Sequence, residues 1–445
     1  MTIKEVGPVL YELPAAMMTK TPVWPGGIGS IAARLPDGGR TEIPVMRAAN
    51  VLISGTTGSG KTVCTKKIVH VQKEAVPNTK SVFFQIKPDD FTSEFMRPGD
   101  KIITFSPHAA HKEAHFRWNQ VKEIRQSADQ EAELKRLGNS LFGHLLEDAR
   151  NRLWAGGARD TYTGFLRVIV DCYSDCPSNG KVIQTLRNME PVALLKYLAK
   201  HPRNHSLLRK SFGFDPKHPD APYKPPRRAE DILFFLNDVL EMWGGNFASM
   251  DGEDTIHDFL HGEANGSNLF IQHDLSQEEA SRPFELYFLR KIINDKMSPS
   301  SGIPAPVLLV LDEADKIGGD FGMTKAATLG RGYGLQVIVS TQSLESLYAL
   351  APEQNREHTT HALLSGFPVM IAFHGGDPDT ITTLQTLFGS QRKEITTLGI
   401  SRYGSPVTKS EREPMVTDAD FASLGVGEAY VKLLSHPPQR ITMIP

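Results

Sequence analysis

One glycine-rich octapeptide carries the residue types that bind a phosphate chain. It reads Gly55-Thr56-Thr57-Gly58-Ser59-Gly60-Lys61-Thr62 and fits the phosphate-binding loop (P-loop) pattern. Glycines let backbone N–H groups point at phosphate oxygens, while Lys61 reaches the β- and γ-phosphates and the Thr62 hydroxyl ligates Mg²⁺. The pattern therefore predicts a site for ATP and Mg²⁺, and the alternative is a glycine turn without a ligand.

Two acidic residues follow an uninterrupted apolar run at 307–311. Asp312 and Glu313 then lie at the carboxyl end of a buried strand, where open α/β sheets bind ligands. Asp312 is predicted to ligate Mg²⁺ or its water, and Glu313 to orient and activate the water that attacks the γ-phosphate. The alternative is that both carboxylates cap the helix that follows.

Two further polar residues flank the apolar run 335–339. Gln342, after its carboxyl end, can contact both the γ-phosphate and the attacking water, or it lies incidentally in an N-capping turn made by Thr341 or Ser343. Arg331, before its amino end, lies between glycines in a tight loop. It is either an arginine that neutralises phosphate charge, on its own chain's ATP or on a neighbour's, or a surface arginine.

The elements that must position these residues are apolar strands separated by helical stretches. The apolar runs lie at 51–53, 81–84, 101–105, 268–272, 306–312, 335–340 and 367–373. This alternation favours a mainly parallel, helix-covered sheet, whereas apolar residues between about 120 and 200 recur at helical spacing. We predict an α/β fold whose nucleotide-binding domain comprises 1–118 and 246–445, with an all-helical insertion and a basic, proline-rich segment at 119–245.

The composition of the chain limits the classes of protein to which it can belong. The chain has 445 residues, is 40% hydrophobic and carries a formal net charge of −2, so a DNA-binding surface must be a local patch or a pore lining. No apolar run reaches the roughly 20 residues that span a bilayer, and the Met1 end lacks a signal-peptide pattern. We therefore expect a cytoplasmic protein. Its three cysteines, Cys64, Cys172 and Cys176, are predicted to be buried thiols.

The segment 201–228 is rich in proline and basic residues. Its cations are Arg203, Arg209, Lys210, Lys217, Lys224, Arg227 and Arg228. The segment either contacts phosphate groups or is a solvated loop.

These motifs together resemble the P-loop motors that pump DNA, and most closely the type IV coupling proteins of bacterial conjugation. The resemblance runs from about residue 45 to the end of the chain. It rests on GTTGSGKT, FMRPGDKIITFSPH, the helical insertion, LDEADKI, GRGYGLQVIVSTQS and REPMVTDADFASLGVGEAYVK. The GRGYG and TQS parts are more specific than the phosphate-binding loop, which a whole superfamily shares.

The resemblance implies a RecA-like ATPase that forms a homo-hexamer and delivers single- or double-stranded DNA to the channel of a conjugative type IV secretion system. Relaxosome and secretion-channel proteins are the implied partners. The implied site roles are nucleotide and Mg²⁺ binding for Lys61 and Thr62, hydrolysis for Asp312 and Glu313, γ-phosphate sensing for Gln342, and a trans-acting finger for Arg331.

The sequence departs from that family in two places. Coupling proteins usually begin with two membrane-spanning helices, whereas this sequence has none, so contact with the inner membrane would pass through a partner. The acidic DPKG position on the second strand is here Gln85-Ile86-Lys87-Pro88, and no role is carried onto it. The rival hypothesis is a type IV secretion assembly ATPase that moves protein subunits without binding DNA; a scaffold that binds nucleotide without hydrolysing it is a third.

Overall fold

A single large sheet forms the centre of the molecule. The computed structural model describes residues 27–348, 362–397, 407–434 and 436–444, apart from 88, 107–109, 264–265, 299–301 and 304. Within these ranges no helix is both long and apolar enough to cross a bilayer.

Thirteen strands lie in the described ranges. They are β1 (Gly29–Arg34), β2 (Arg40–Val45), β3 (Val51–Ser54), β4 (Lys80–Gln85), β5 (Lys101–Thr104), β6 (Asn268–Gln272), β7 (Val307–Leu311), β8 (Leu335–Thr341), β9 (Val369–Phe373), β10 (Ser390–Thr397), β11 (Val407–Pro414), β12 (Glu428–Leu433) and β13 (Gln439–Met443). Eleven of them form one sheet in the order β2-β1-β13-β12-β9-β3-β8-β7-β4-β6-β5, while β10 and β11 form a separate hairpin. From β9 to β5 the neighbours run parallel, and the remaining pairs are antiparallel. The predicted mainly parallel sheet is confirmed.

Helices cover this sheet and fill the insertion. They are α1 (Lys61–Ala75), α2 (Thr92–Phe95), α3 (Gln120–Gln126), α4 (Gln130–Glu147), α5 (Arg152–Cys172), α6 (Asn179–Asn188), α7 (Pro191–Ala199), α8 (His205–Leu207), α9 (Arg227–Ser249), α10 (Ile256–His261), α11 (Glu278–Lys296), α12 (Met323–Leu329), α13 (Leu344–Tyr348), α14 (Pro378–Phe388) and α15 (Asp418–Ala422). Short 3₁₀ turns include Ala314–Lys316 and Gly330–Tyr333, and Leu208–Phe212 is π-helical.

The central strands are apolar at every position because both faces of the sheet are covered. In β7, Leu309 and Leu311 belong to the core on one face, while Leu308 and Val310 belong to the core on the other. Alternate residues of a strand point to opposite faces, so a strand buried on both sides needs an unbroken apolar run. This requirement explains the apolar runs that end at the polar residues singled out above.

The inserted helices α3 to α10 all lie between β5 and β6. Side-chain caps begin several of them, for example Asp129 at α4 and Ser178 at α6. The boundary expected at residue 245 falls inside α9, which continues to Ser249 and buries Trp243 and Phe247. The core of the insertion is continuous with one face of the sheet.

A buried charge cluster joins the insertion to α11. Lys291 of α11 lies 3.5 Å from Glu123 of α3 and 3.3 Å from Glu133 of α4, and all three side chains are fully buried. The Tyr287 hydroxyl donates to Glu133 at 2.7 Å. Burial raises the pKa of Glu123 to about 7, although Lys291 opposes this shift. Removing one member of such a cluster leaves a buried charge without compensation.

The cysteine prediction holds at only one of three positions. Cys64 is buried in α1, whereas Cys172 and Cys176 are exposed. The prediction is wrong for these two because α5 ends at Cys172 and Cys176 lies in the loop that follows.

Candidate functional site

The glycine-rich loop joins β3 to α1 at the carboxyl edge of the parallel strands. Gly55 has φ 155°, and a Cβ there would lie 2.7 Å from Cβ of Phe373 and 2.8 Å from Oγ of Ser59. Both distances are shorter than a Cβ atom makes to non-bonded atoms, so the loop requires glycine at its start. The Gly55 N–H donates to the Thr341 carbonyl at 3.3 Å, which fixes the loop to β8.

The loop leaves several hydrogen-bond donors free. The N–H groups of Thr57, Gly58 and Gly60 donate to no residue that the structure describes, and the first N–H groups of any α-helix lack intrahelical acceptors. The Ser59 hydroxyl is buried and likewise has no partner within the described ranges. Converging donors at a helix N-terminus bind anions, so the loop fits a phosphate chain.

Lys61 is the positively charged residue of this loop, and it is only 6% exposed. Its Nζ donates to the carbonyls of Gly55 at 2.7 Å and Thr56 at 2.9 Å. Burial lowers the pKa of Lys61, and the nearby carboxylates of Asp312 and Glu313 oppose this shift. The amine is therefore held against the loop, beside the acidic residues.

Asp312 and Glu313 are connected through one serine. The Ser340 hydroxyl donates to Oδ1 of Asp312 and accepts from the Glu313 N–H at 3.2 Å. Burial raises the pKa of Asp312, and the bond from Ser340 opposes that rise. Glu313 has φ 50° and makes no side-chain cap to the turn that follows. The capping alternative for these acids is therefore wrong.

Gln342 contacts the second of these acids. Its Nε2 donates to Oε1 of Glu313 at 3.1 Å. The turn after β8 is held instead by the Thr341 hydroxyl, which accepts from the Ser343 N–H at 3.2 Å. Thr341 and Ser343 therefore form the turn, while Gln342 is hydrogen-bonded to Glu313.

Arg331 does not join this cluster. It is exposed, lies in the turn that precedes β8, and its side chain makes no hydrogen bond or ion pair within the described chain. β8 spans Leu335–Thr341, and strands rise about 3.3 Å per residue, so Arg331 lies roughly 20 Å from the edge that carries Gln342. The loop, Asp312, Glu313 and Gln342 share one edge of the sheet, and Arg331 is at the opposite edge.

Two polar residues near the site received no role from the sequence. Ser340 is the penultimate residue of β8, which pairs with β7, the strand directly before Asp312. The only sequence signal for Ser340 was a polar side chain at the end of an apolar run. Gln85, at the family's acidic position, is buried; its amide donates to Thr92 Oγ1 at 2.6 Å and accepts from the Phe91 N–H at 3.0 Å. Gln85 thus holds the loop after β4.

Comparisons with known proteins agree with this architecture. Unbound TrwB, a bacterial conjugative coupling protein, matches with a TM-score of 0.68 at 19% identity over 90% of this chain and 87% of that chain. TrwB in complex with ADP and Mg²⁺ matches at 0.65, over 89% and 85%. VirB4 of Thermoanaerobacter pseudethanolicus matches at 0.54 with 14% identity, over 96% and 98%. No curated protein sequence matches the chain.

The matching family model covers almost the whole range of residues that form the fold. The model described as the type IV secretion-system coupling protein DNA-binding domain matches residues 42–444. This match confirms the resemblance inferred from the sequence motifs. The chain belongs to the family of type IV secretion-system coupling protein DNA-binding domains.

Proposed function

We propose that this chain is an ATP-hydrolysing motor that moves DNA to the channel of a conjugative type IV secretion system. One observation carries the proposal. A phosphate-binding loop with free N–H donors shares a sheet edge with the hydrogen-bonded set Asp312, Ser340, Glu313 and Gln342, in a chain of the coupling-protein family.

Each side chain has a separate task in this proposal. The loop N–H groups and Lys61 hold the phosphate chain, and Thr62 with Asp312 holds Mg²⁺, which neutralises phosphate charge. Glu313 accepts a proton from the attacking water, and Gln342 keeps its carboxylate oriented. A solved relative described with ADP and Mg²⁺ supports the nucleotide and metal assignment.

In this proposal, the arginine that completes the nucleotide site comes from a second copy of the chain. Arg331 lies at the sheet edge opposite its own nucleotide site, and the neighbouring side chains Leu329 and Tyr333 are 58% and 42% exposed. This arrangement suits a head-to-tail contact, which closes into a ring when the rotation between subunits closes. We propose a homo-hexamer in which Arg331 of one subunit completes the site of the next.

A basic cavity in the insertion supplies a surface for DNA phosphates. It has a volume of about 500 Å³ and is lined by Lys135, Arg159, Arg167, Arg203 and Lys210, with Asp160 among them. Arg167 and Arg203 both bind Glu131, whereas Lys135 and Lys210 have no charged partner within the described chain. Part of the basic segment 201–228 therefore contributes to a charged cavity, and the free lysines are the proposed phosphate contacts.

DNA binding and DNA-stimulated ATP turnover, measured across salt concentrations, test this function. Each phosphate contact adds about 0.9 to the slope of log K against log salt for duplex DNA, so replacing Lys135 and Lys210 by alanine should reduce that slope by about 2. The matched control replaces Lys217 and Lys224, which are exposed in the same segment but outside the cavity. Equal slopes in both double variants would exclude the cavity as a DNA-binding surface.

The second candidate is a type IV secretion assembly ATPase that moves protein subunits without binding DNA. The family match to a coupling-protein DNA-binding domain favours the DNA motor over this candidate. A chain that hydrolyses ATP but shows neither DNA stimulation nor salt-sensitive DNA binding would be the assembly motor.

A further inference from the structure

The strand order defines two sides of the phosphate-binding loop. β8 and β7, which carry Gln342 and Asp312 at their ends, lie on one side of β3, and β9 and β12 lie on the other. A nucleotide whose terminal phosphate points at Asp312 and Gln342 must therefore extend its sugar and base towards β9 and β12.

One turn on that side lies directly against the loop. The Gly427 N–H, immediately before β12, donates to the Ser59 carbonyl at 3.0 Å, and the Gly427 carbonyl accepts from the Met443 N–H at 2.8 Å. A Cβ on Gly60 would lie 3.7 Å from Cα of Gly427. The turn is thus fixed between the phosphate-binding loop and β13.

The side chain at the tip of this turn is apolar and open to solvent. Val426 is 82% exposed, more than any other large apolar side chain in the described chain. Because the turn is hydrogen-bonded on both sides, this side chain is held in place beside the loop. Exposure of a fixed apolar group costs free energy that a flat apolar ligand recovers on contact.

A second exposed valine lies on the helix that follows the phosphate-binding loop. Val63, in the first turn of α1, is 52% exposed and lies one helical turn before Lys67, so the two share a face of α1. Lys67 donates to the Ile444 carbonyl, next to the Met443 that bonds the turn. The face of α1 that carries Val63 and Lys67 therefore contacts the residue after β13, the strand to which the turn at Gly427 is bonded.

We infer that Val426, with Val63 beside it, forms the subsite that packs against the base of the bound nucleotide. This inference rests on the proposed nucleotide site and adds the group that holds the nucleoside. Every base offers an apolar face, so contact with valine stabilises adenine and guanine alike. Solved relatives are described with a GTP analogue and with an ATP analogue.

Binding of ATP, GTP and inorganic triphosphate, each with Mg²⁺, to the full chain by calorimetry tests this subsite. Val426→Ser should weaken ATP and GTP binding by the same factor, about five- to tenfold, the size expected from losing a buried valine contact. Triphosphate binding should stay within about twofold, because only phosphate-binding groups contact it. Val426→Leu should retain ATP affinity, and Leu153→Ser, a 50% exposed position in α5, should change none of the three.

Three outcomes would overturn the inference. Unchanged ATP affinity in Val426→Ser would mean that the base lies elsewhere. A parallel loss of triphosphate binding would mean that the turn only supports the loop through Gly427. A loss for ATP but not GTP would indicate recognition of base edges. Failure of the wild-type chain to bind any of the three ligands would instead refute the proposed nucleotide site.

Discussion

Two inactive variants should restore each other's ATP turnover if Arg331 acts on a neighbour. Within one chain, the seven residues of β8 separate Arg331 from the edge that holds Lys61, which is roughly 20 Å at about 3.3 Å per residue. An arginine side chain cannot cover that distance. Arg331→Ala alone should therefore lower turnover by about 10³- to 10⁵-fold, the contribution of such an arginine in GTPases, while leaving its own phosphate-binding loop intact.

The size of the recovery follows from counting interfaces. In a randomly mixed ring of Arg331→Ala and Lys61→Ala subunits in equal amounts, a working site needs Lys61 from one subunit and Arg331 from the next. With head-to-tail contacts, about one quarter of the interfaces meet both conditions. Turnover should therefore rise to about a quarter of the wild-type rate, provided that sites act independently.

The assay is steady-state ATP turnover of mixed subunits with DNA, with ring formation checked by light scattering. The control mixes Arg331→Ala with the double variant Lys61→Ala/Arg331→Ala, which supplies no arginine to any interface and should stay at background. Background turnover in the first mixture, with mixed rings present, would refute the geometry across subunits.

Three other substitutions test separate parts of the molecule. Glu313→Gln should lower ATP turnover by about 10²- to 10⁴-fold, since it removes the general base, while ADP affinity measured by calorimetry stays the same; unchanged turnover would exclude Glu313 from the mechanism. Ser340→Ala should move the acid limb of the pH–turnover profile to higher pH, because the lost bond had opposed the raised pKa of Asp312; Ser340→Thr should not, and an unmoved limb in the alanine variant would contradict this role. Lys291→Met should cost about 3–5 kcal/mol of the free energy of unfolding at pH 7, and less at pH 5, because Glu123, with its pKa raised to about 7, is protonated there. Denaturant unfolding at both pH values measures this, and an equal loss at the two would be evidence against a charge effect.

The sequence predicted which polar residues lie at the strand ends, for a physical reason. Strands of a parallel sheet buried on both faces are apolar throughout, so the first polar residue after each run marks the carboxyl edge. Asp312 was found this way, whereas Lys61 was predicted from the glycine-rich loop and Gln342 from its position shortly after such a run. The structure places all three near one edge. Their catalytic roles remain predictions.

Other features could not be predicted because they depend on contacts between residues far apart in the sequence. Ser340 lies within a strand that reads as apolar, and its contact with Asp312 depends on the pairing of β7 with β8. The pairing of β1 with β13 brings together the two ends of the fold and leaves no local pattern.

The end of α9 shows tertiary packing overriding a local signal. Gly244 and Gly245 are unfavourable in a helix by about 1 kcal/mol each relative to alanine, so the local sequence favours a helix end before Gly244. The helix instead continues through Asn246 and Phe247, both buried. Burial of Phe247 contributes about 1.5–3 kcal/mol, and the Asn246 amide donates to the Ala280 carbonyl. Together these contributions offset the cost of the two glycines.

The charge cluster around Lys291 also bears on how the molecule unfolds. An insertion that leaves and re-enters a sheet through two adjacent strands has the topology of a removable module. Here, however, Lys291 and Tyr287 of α11 bind the buried carboxylates of α3 and α4. Unfolding the insertion alone would therefore remove these carboxylates from the two α11 side chains. We therefore expect insertion and sheet to unfold as one cooperative unit, and substitutions to be tolerated better on the outer helices than on the helices that face α11.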